Sequence, residues 1–203
     1  MTAKQLAAII LVLAAGRLVL YLAPDIQILN EKWKRITVEY LDSVIVAGVV
    51  ALFIIHFLFR TFYIPSGSMI PTLQVKDYIL VNEFIYRFNE PKRGDVVVFR
   101  PPESANAGEK EFIKRIVGLP GETLSVQDGQ VFINGEPLDE PYVKNLPDYF
   151  LPPVKIPEDY YYMLGDNRPS SADSHVWGGV PRKNFIGKAV LIILPPRRAG
   201  VLK

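Results

Sequence analysis

The sequence predicts a mostly β protein, in which an antiparallel β-sheet domain follows one or two N-terminal transmembrane helices. Residues 43–59 carry no charge and lie between Asp42 and Arg60. From residue 61 onward the apolar runs are short and separated by turns. One of the 17 prolines precedes residue 61. These observations divide the chain into a membrane anchor, residues 1–60, and a β domain, residues 61–203.

Residues 43–60 are the predicted main span, because about 17–25 apolar residues cross a bilayer. A buried core helix is the alternative interpretation. The aromatic residues of a possible interfacial belt are Phe57, Phe59, Phe62 and Tyr63. Three basic residues precede the apolar run 43–59 and one follows it: Lys32, Lys34, Arg35 and Arg60. By the positive-inside rule, residues 30–40 are cytoplasmic and the β domain is outside.

Residues 5–23 form a second apolar segment and a possible additional span. Arg17 lies inside it, and a charge in mid-span costs about 2.5–3.5 kcal/mol on insertion scales. Partial snorkelling toward the Pro24 end would reduce this cost, and an interfacial helix is the alternative. The β domain is outside in either case. His56, within the main span, is interpreted as a lipid-boundary or helix-contact residue.

Short apolar runs of β-like composition predict the strands of the domain. They are Tyr78–Val81, Val96–Phe99, Phe112–Val117, Leu124–Val126, Val131–Ile133, Tyr160–Leu164 and Ala189–Leu194. The dipeptides Asp128-Gly129 and Asn134-Gly135 flank Gln130–Ile133 and are typical of hairpin turns. No long amphipathic helical pattern occurs in this part of the sequence.

Composition excludes several classes of function. The net charge is +2, but residues 61–203 hold 17 basic and 17 acidic residues, which argues against binding nucleic acid through a basic surface. The chain has no cysteine, which excludes disulfides, cysteine metal sites and a cysteine nucleophile. The two histidines, His56 and His175, make a histidine-rich metal site improbable. We therefore expect no metal and no other cofactor.

The segment Ser66-Gly67-Ser68 is a candidate nucleophile turn, stiffened by Pro65 and Pro71. A nucleophilic serine needs a rigid, accessible position and nearby donors for an oxyanion. Gly67 permits the close approach of a substrate. An ordinary serine-glycine turn between span and domain remains the alternative from spacing alone.

Lys114 is a candidate general base for such a serine. It shares a strand face with Phe112 and Ile116, whereas Arg115 faces the opposite way. A lysine acts as a base only when neutral, and an apolar environment favours that form. A lysine that snorkels from a strand remains the alternative. His175 is the one histidine outside the span.

The polar loop 164–178 is the third candidate element, because eight polar side chains fall within ten of its positions, 166–175. These are Asp166, Asn167, Arg168, Ser170, Ser171, Asp173, Ser174 and His175. Such a loop can organise a site through hydrogen bonds and ion pairs. A solvated turn is the alternative.

Together, these segments resemble bacterial type I signal peptidase (leader peptidase), a membrane protease with a Ser-Lys dyad. The matching motifs follow the span in family order: Ser66–Leu73, Gly94–Phe99, Lys114–Glu122 and Gly165–Ser174. The resemblance covers the chain from about Val44 to Leu194. It implies the fold shared by signal peptidases and SOS repressors, without room for the large second β region of the longest members.

The resemblance implies a role for each matching residue. Ser68 would be the acylated nucleophile, and neutral Lys114 its general base. The hydroxyl of Ser66 would form the oxyanion hole with the backbone N–H of Ser68. Ser171 would orient the lysine, and Gly165 would let the backbone pass close to the dyad.

Further residues would support the site or bind substrate. Ion pairing would involve Asp166, Arg115 and Asp173. Substrate-binding residues, chosen for their adjacency to the dyad, are Ile64, Pro65 and Ile113. Met69 is also assigned to substrate binding, and would line the substrate or core side of the nucleophile turn. His175 stands where relatives of the best-known enterobacterial enzyme often carry arginine, so its pair with Asp173 is expected to be pH-dependent or absent. The intact lysine motif argues against a Ser-His-Asp triad.

The implied activity is removal of N-terminal signal peptides from exported preproteins through an acyl-enzyme. The implied partners are preproteins, the lipid bilayer and nearby export machinery, but not nucleic acid. The implied location is the bacterial cytoplasmic membrane, with the β domain on the extracytoplasmic side. The alternatives are a self-cleaving repressor, against which residues 1–60 argue, and a non-enzymatic anchored β module that binds secreted proteins.

Overall fold

A computed structural model of the chain describes residues 3–22, 31–105, 108 and 111–202. Its internal contacts divide the chain into two units, Met1–Arg60 and Thr61–Lys203.

The first unit contains two helices, α1 (Ala3–Leu22) and α2 (Glu31–Leu58). Within α2, Arg35–Phe53 is long and apolar enough to cross a membrane, by length and composition. In α1 the apolar stretch is shorter, Ala8–Val19. The last residue of the predicted span 5–23 lies outside the described residues, as does the side chain of His56.

The helix ends two residues before the predicted span 43–60 does, because Phe59 begins strand β1 (Phe59–Tyr63). Phe62 is half-buried against the core of the β domain. The cluster predicted to form an aromatic belt therefore contributes Phe59, Phe62 and Tyr63 to a strand. Aromatic residues suit a half-buried strand as well as a membrane interface, which is why composition alone could not separate the two.

The two helices contact each other at a glycine and at an ion pair. A Cβ on Gly48 would lie 2.9 Å from the Ile10 side chain, so the glycine permits close packing there. Arg17 Nε donates to Asp42 Oδ1 at 2.9 Å. A carboxylate on α2 thus pairs with Arg17, and the predicted snorkelling toward Pro24, which lies outside the described residues, stays a prediction.

The second unit is an antiparallel β domain, as predicted. Its elements after β1 are β2 (Tyr78–Asn82), α3 (Ile85–Phe88), β3 (Val96–Phe99), β4 (Phe112–Gly118), β5 (Thr123–Gln127), β6 (Gln130–Ile133), β7 (Glu136–Pro137), β8 (Leu151–Lys155), β9 (Tyr160–Leu164), α4 (Ser174–Trp177), β10 (Val180–Pro181), β11 (Phe185–Leu194) and β12 (Gly200–Val201). Short 3₁₀ turns occupy Glu103–Ala105, Arg168–Ser170, Arg182–Asn184 and Pro196–Arg198.

The strands form two sheets. The larger has the order β1-β2-β11-β3-β4-β9-β10, with β12 also paired to β11. The smaller has the order β7-β6-β5-β8. All seven predicted strands are present, and β3 and β9 have the predicted bounds.

Several strands escaped prediction because their composition is atypical or their length is short. Strand β8 contains Pro152 and Pro153, which indicated a loop. It lies at the edge of the smaller sheet, where a missing backbone N–H is tolerated. Strands β7, β10 and β12 have two residues each, too few to show a periodicity.

Strand β4 lies where three hydrophobic clusters meet. Ile113 packs against the first, which joins β2, β3 and β11. Ile116 belongs to the second, which joins β3 and β9 to α4. Val117 belongs to the third, which links β9 to the smaller sheet. Strand β4, which carries Lys114, therefore packs against all three buried apolar clusters.

Candidate active site

The turn that carries Ser68 is anchored in the core by the residues that follow it. Met69 and Leu73 are fully buried in the first cluster, and Leu73 N donates to Met69 O at 2.9 Å. At the base of the loop, Ile64 exchanges two backbone hydrogen bonds with the segment before β2. Ser68 is consequently held in place and largely buried, whereas Ser66 is exposed.

Lys114 reaches Ser68 from strand β4. Its Nζ donates to Ser68 Oγ at 3.0 Å and to Ile113 O at 3.1 Å. The amine also lies 5.4 Å from the ring centroid of Phe112. Lys114 is 5% exposed and Ser68 is 7% exposed. Burial disfavours a charged amine, so this environment suits a lysine that accepts a proton.

Gly165, at the end of β9, lies directly against the dyad. A Cβ at this position would lie 2.5 Å from the Ser68 carbonyl oxygen and 2.6 Å from the Ser171 Cβ. These distances leave no room for any side chain. The Gly165 N–H donates to Asp173 Oδ2 at 2.9 Å, which fixes the backbone at this contact.

The hydrogen bond predicted from Ser171 to Lys114 is not formed. Ser171 Oγ is buried and has no hydrogen-bond partner among the described residues. The amine of Lys114 is instead directed to Ser68 Oγ and Ile113 O. An orienting role for Ser171 stays a prediction.

Arg115 and Asp166 form a buried ion pair beside the dyad. Arg115 Nε and Nη2 donate to the two oxygens of Asp166 at 2.9 and 2.7 Å. Thr72 Oγ1 also donates to Asp166, and Arg115 Nη1 donates to Gly94 O at 2.7 Å. The pair joins β4, the nucleophile turn and the loop after β9, which are the three elements that carry the candidate residues.

Asp173 contacts His175 as well as Gly165. His175 Nδ1 lies 2.7 Å from Asp173 Oδ1, and the imidazole stacks on Tyr149 with ring centroids 4.0 Å apart. The contact between Asp173 and His175 is therefore present, and its expected pH dependence stays a prediction. Because a neutral imidazole can also donate through Nδ1, the contact does not require a charged histidine.

Sequence reasoning assigned no role to a second buried pair, Arg168 with Glu140. The guanidinium donates to both oxygens of Glu140, at 2.9 and 2.6 Å, and Nε donates to Gly165 O at 2.9 Å. Burial alone would lower the pKa of Arg168, but the hydrogen bond and charge of Glu140 raise it overall. Arg168 lies in the motif Gly165–Ser174, whereas no motif in the sequence contains Glu140.

Three of the four predicted substrate-binding residues line one apolar cleft: Ile64, Pro65 and Ile113. The other residues lining it are Phe62, Tyr63, Ile79, Val98, Glu111 and Phe112. Met69 is fully buried in the first cluster and does not line the cleft, so it lies on the core side of the nucleophile turn. A contact of Met69 with substrate stays a prediction. Its hydrophobicity reflects anchoring of the turn.

Within the described ranges, no group of three or more His, Asp or Glu side chains is arranged to hold a metal ion. The geometry instead presents a serine, a buried lysine and an apolar cleft. This combination is suited to acyl transfer from an extended peptide.

Comparison with known proteins gives a consistent result. Residues 37–194 match the family described as "Signal peptidase, peptidase S26". Signal peptidase I of Leptolyngbya laminosa is 47% identical over 168 residues, covering 81% of this chain and 83% of that protein. Probable signal peptidase I-2 of a Synechocystis strain is 44% identical, covering 79% and 74% respectively. The crystal structure of a signal peptidase I from Enterococcus faecalis V583 is 31% identical, with a TM-score of 0.43, covering 49% of this chain and 97% of that one.

Substitution of Gly165 by alanine should abolish reactivity at Ser68, because the added Cβ would displace either the Ser68 carbonyl or Ser171. Gly200→Ala is the control, since a Cβ there meets nothing within 4 Å. The measurement is the rate at which a serine-directed acylating reagent modifies each full-length variant in detergent. Modification of Gly165→Ala at the native rate would contradict the close approach described above.

Proposed function

We infer that this protein, which belongs to the signal peptidase family (peptidase S26), is a serine endopeptidase. It removes N-terminal signal peptides from preproteins. A non-enzymatic binding module is not favoured, because the similar proteins are named as peptidases. The observation that best supports a catalytic role for individual residues is the 3.0 Å contact between Lys114 Nζ and Ser68 Oγ.

In the proposed acylation step, neutral Lys114 accepts the proton of Ser68 Oγ while that oxygen attacks the scissile carbonyl carbon. The oxyanion that forms is stabilised by the Ser68 backbone N–H and the Ser66 hydroxyl. When the C–N bond breaks, the Lys114 ammonium returns the proton to the leaving amine. The signal peptide is then held as an ester of Ser68.

In the proposed deacylation step, Lys114 takes a proton from water, and the resulting hydroxide attacks the ester carbonyl. The same oxyanion donors stabilise the second tetrahedral intermediate. Protonation of Ser68 Oγ by Lys114, as the C–O bond to Ser68 breaks, releases the carboxylic acid and restores the neutral amine. The acid then loses its remaining proton to solvent. A buried lysine suits both steps, because it gains and loses one proton per half-reaction without a permanent charge.

The proposed substrate conformation is an extended strand whose small side chains enter the cleft formed by Ile64, Pro65 and Ile113. Edge-strand pairing would supply backbone hydrogen bonds, and the apolar walls would select size rather than charge. The supporting roles proposed for Arg115, Asp166 and Asp173 are to hold the backbone around the dyad.

The proposed location is the bacterial cytoplasmic membrane, with the β domain on the extracytoplasmic side near the export machinery. The apolar stretch Arg35–Phe53 and the basic residues before it support this orientation. On this proposal the lipid bilayer is a partner of α2, and preproteins present their cleavage sites at the outer surface.

Ser68→Ala and Lys114→Ala should each lower preprotein cleavage by at least about 1000-fold, because one removes the nucleophile and the other its base. Lys114→Arg should fail equally, since a guanidinium does not deprotonate. The controls are the exposed residues Ser170→Ala and Lys183→Ala. Purified full-length variants are incubated with a preprotein and the products are resolved by electrophoresis. Normal cleavage by any dyad variant would refute the proposed mechanism.

Because the chain has no cysteine, single cysteines can report its orientation in the membrane. Glu103→Cys should react with a membrane-impermeant maleimide in spheroplasts, whose cytoplasmic membrane is intact. Asp25→Cys should react only after the membrane is opened. The reverse pattern would contradict the proposed orientation, and the behaviour of Thr2→Cys would distinguish one span from two.

A further inference from the structure

The connection between β7 and β8 contacts the loop after β9 at several points. We call residues 140–149 of this connection the strap. Its contacts include the Glu140–Arg168 ion pair, the stacking of Tyr149 on His175, and an isolated parallel bridge between Asn145 and Asn167. A further contact is to β4, where the guanidinium of Arg115 lies 4.0 Å from the ring centroid of Tyr142.

Asn167 holds both carbonyl groups of the Gly67–Ser68 dipeptide. Its backbone N–H donates to Ser68 O at 3.0 Å, and its side-chain Nδ2 donates to Gly67 O at 3.1 Å. The carbonyl of Gly67 and the N–H of Ser68 belong to one planar peptide group. The Gly67 carbonyl accepts from Asn167 Nδ2 and also from Ile70 N at 3.2 Å. These two donors together fix the direction of the Ser68 N–H.

Asn145 determines which way the Asn167 amide faces. Asn145 Nδ2 donates to Asn167 Oδ1 at 3.1 Å, so the opposite side of that amide, Nδ2, is turned toward Gly67 O. If the amide of Asn167 were rotated by 180°, its oxygen would face the Gly67 carbonyl oxygen and the hydrogen bond would be lost.

We propose that Asn145 and Asn167 form a positioning relay, in which the strap orients the oxyanion-hole N–H of Ser68 through the Gly67 carbonyl. The relay rests on the proposed function, because it assigns a purpose to the Ser68 N–H only if a tetrahedral oxyanion forms there. Neither asparagine touches the substrate, so each acts through the peptide group between Gly67 and Ser68. The strap thereby becomes part of the catalytic apparatus.

Pre-oriented donors stabilise an oxyanion because no reorganisation is needed when charge develops. Loss of the relay would leave Ser68 Oγ and Lys114 in contact, since that contact is made by β4 and the turn. It would leave the apolar cleft unchanged as well. The relay therefore affects the chemical step, and we expect kcat to fall while KM is unaltered.

The relay is tested with full-length variants in detergent, measuring kcat and KM for a signal-peptide substrate and the rate at which an activated ester acylates Ser68. Asn167→Ala should lower kcat and the acylation rate about tenfold. Asn145→Asp should lower both by a similar factor, because its carboxylate repels Asn167 Oδ1 and rotates the amide. Asn145→Ala, which removes the donor without repulsion, should have a smaller effect.

The double variant distinguishes a relay from a general loss of stability. In the Asn167→Ala background, Asn145→Asp should have no further effect, because the amide that it would rotate is absent. Asn184→Asp is the control for the loss of an asparagine donor away from the relay. Asn184 Nδ2 donates to the backbone carbonyl of Arg100 at 3.0 Å, as Asn167 Nδ2 does to that of Gly67. This variant should keep the native kcat. Thermal unfolding of each variant is recorded in parallel.

Equal losses from Asn145→Asp in both backgrounds, or no loss in either, would overturn the relay. A loss that appears in KM rather than kcat would overturn it too. These results differ from failure of the proposed function, in which the native chain itself would neither cleave the substrate nor be acylated at Ser68. Such inertness would overturn the relay together with the function.

Discussion

The buried ion pair between Arg115 and Asp166 is the constraint on which the rest of the site depends. Arg115 follows Lys114 on β4, and Asp166 follows Gly165, which lies against the Ser68 carbonyl. A bidentate contact fixes both distance and orientation, so aligning these two side chains aligns their neighbours. Removing one partner would leave an uncompensated charge in the interior, a loss of about 3–5 kcal/mol.

Around this pair, each part of the fold contributes a separate constraint to the dyad. The three hydrophobic clusters hold β4, which leaves Lys114 little freedom except along its own side chain. Buried Met69 and Leu73 hold the nucleophile turn from below, and the loop after β9 closes over it. Because the lysine is buried together with its serine, its position disfavours the charged form of the amine.

Local pattern predicted seven of the strands, whereas Ser68 and Lys114 were singled out by the family resemblance, because spacing alone left an ordinary turn and a snorkelling lysine open. It could not predict contacts that depend on how distant segments meet. The strap residue Glu140 pairs with Arg168, and Asn145 with Asn167, across 28 and 22 positions of sequence. For Met69 the sequence left the substrate side and the core side of the turn open, because a hydrophobic residue beside a nucleophile suits both. Strand β8 was missed because its two prolines are typical of a loop or a strand end. They are tolerated here because β8 lies at a sheet edge.

The most direct test of this account is peptide-mapping mass spectrometry after exposure to a serine-directed acylating reagent. We compare the native chain with Asp166→Asn, which removes the charge that holds Arg115. The account predicts a single adduct on Ser68 in the native chain and much slower formation of that adduct in the variant. An adduct on Ser66 in place of Ser68, or labelling of the variant at the native rate, would contradict it.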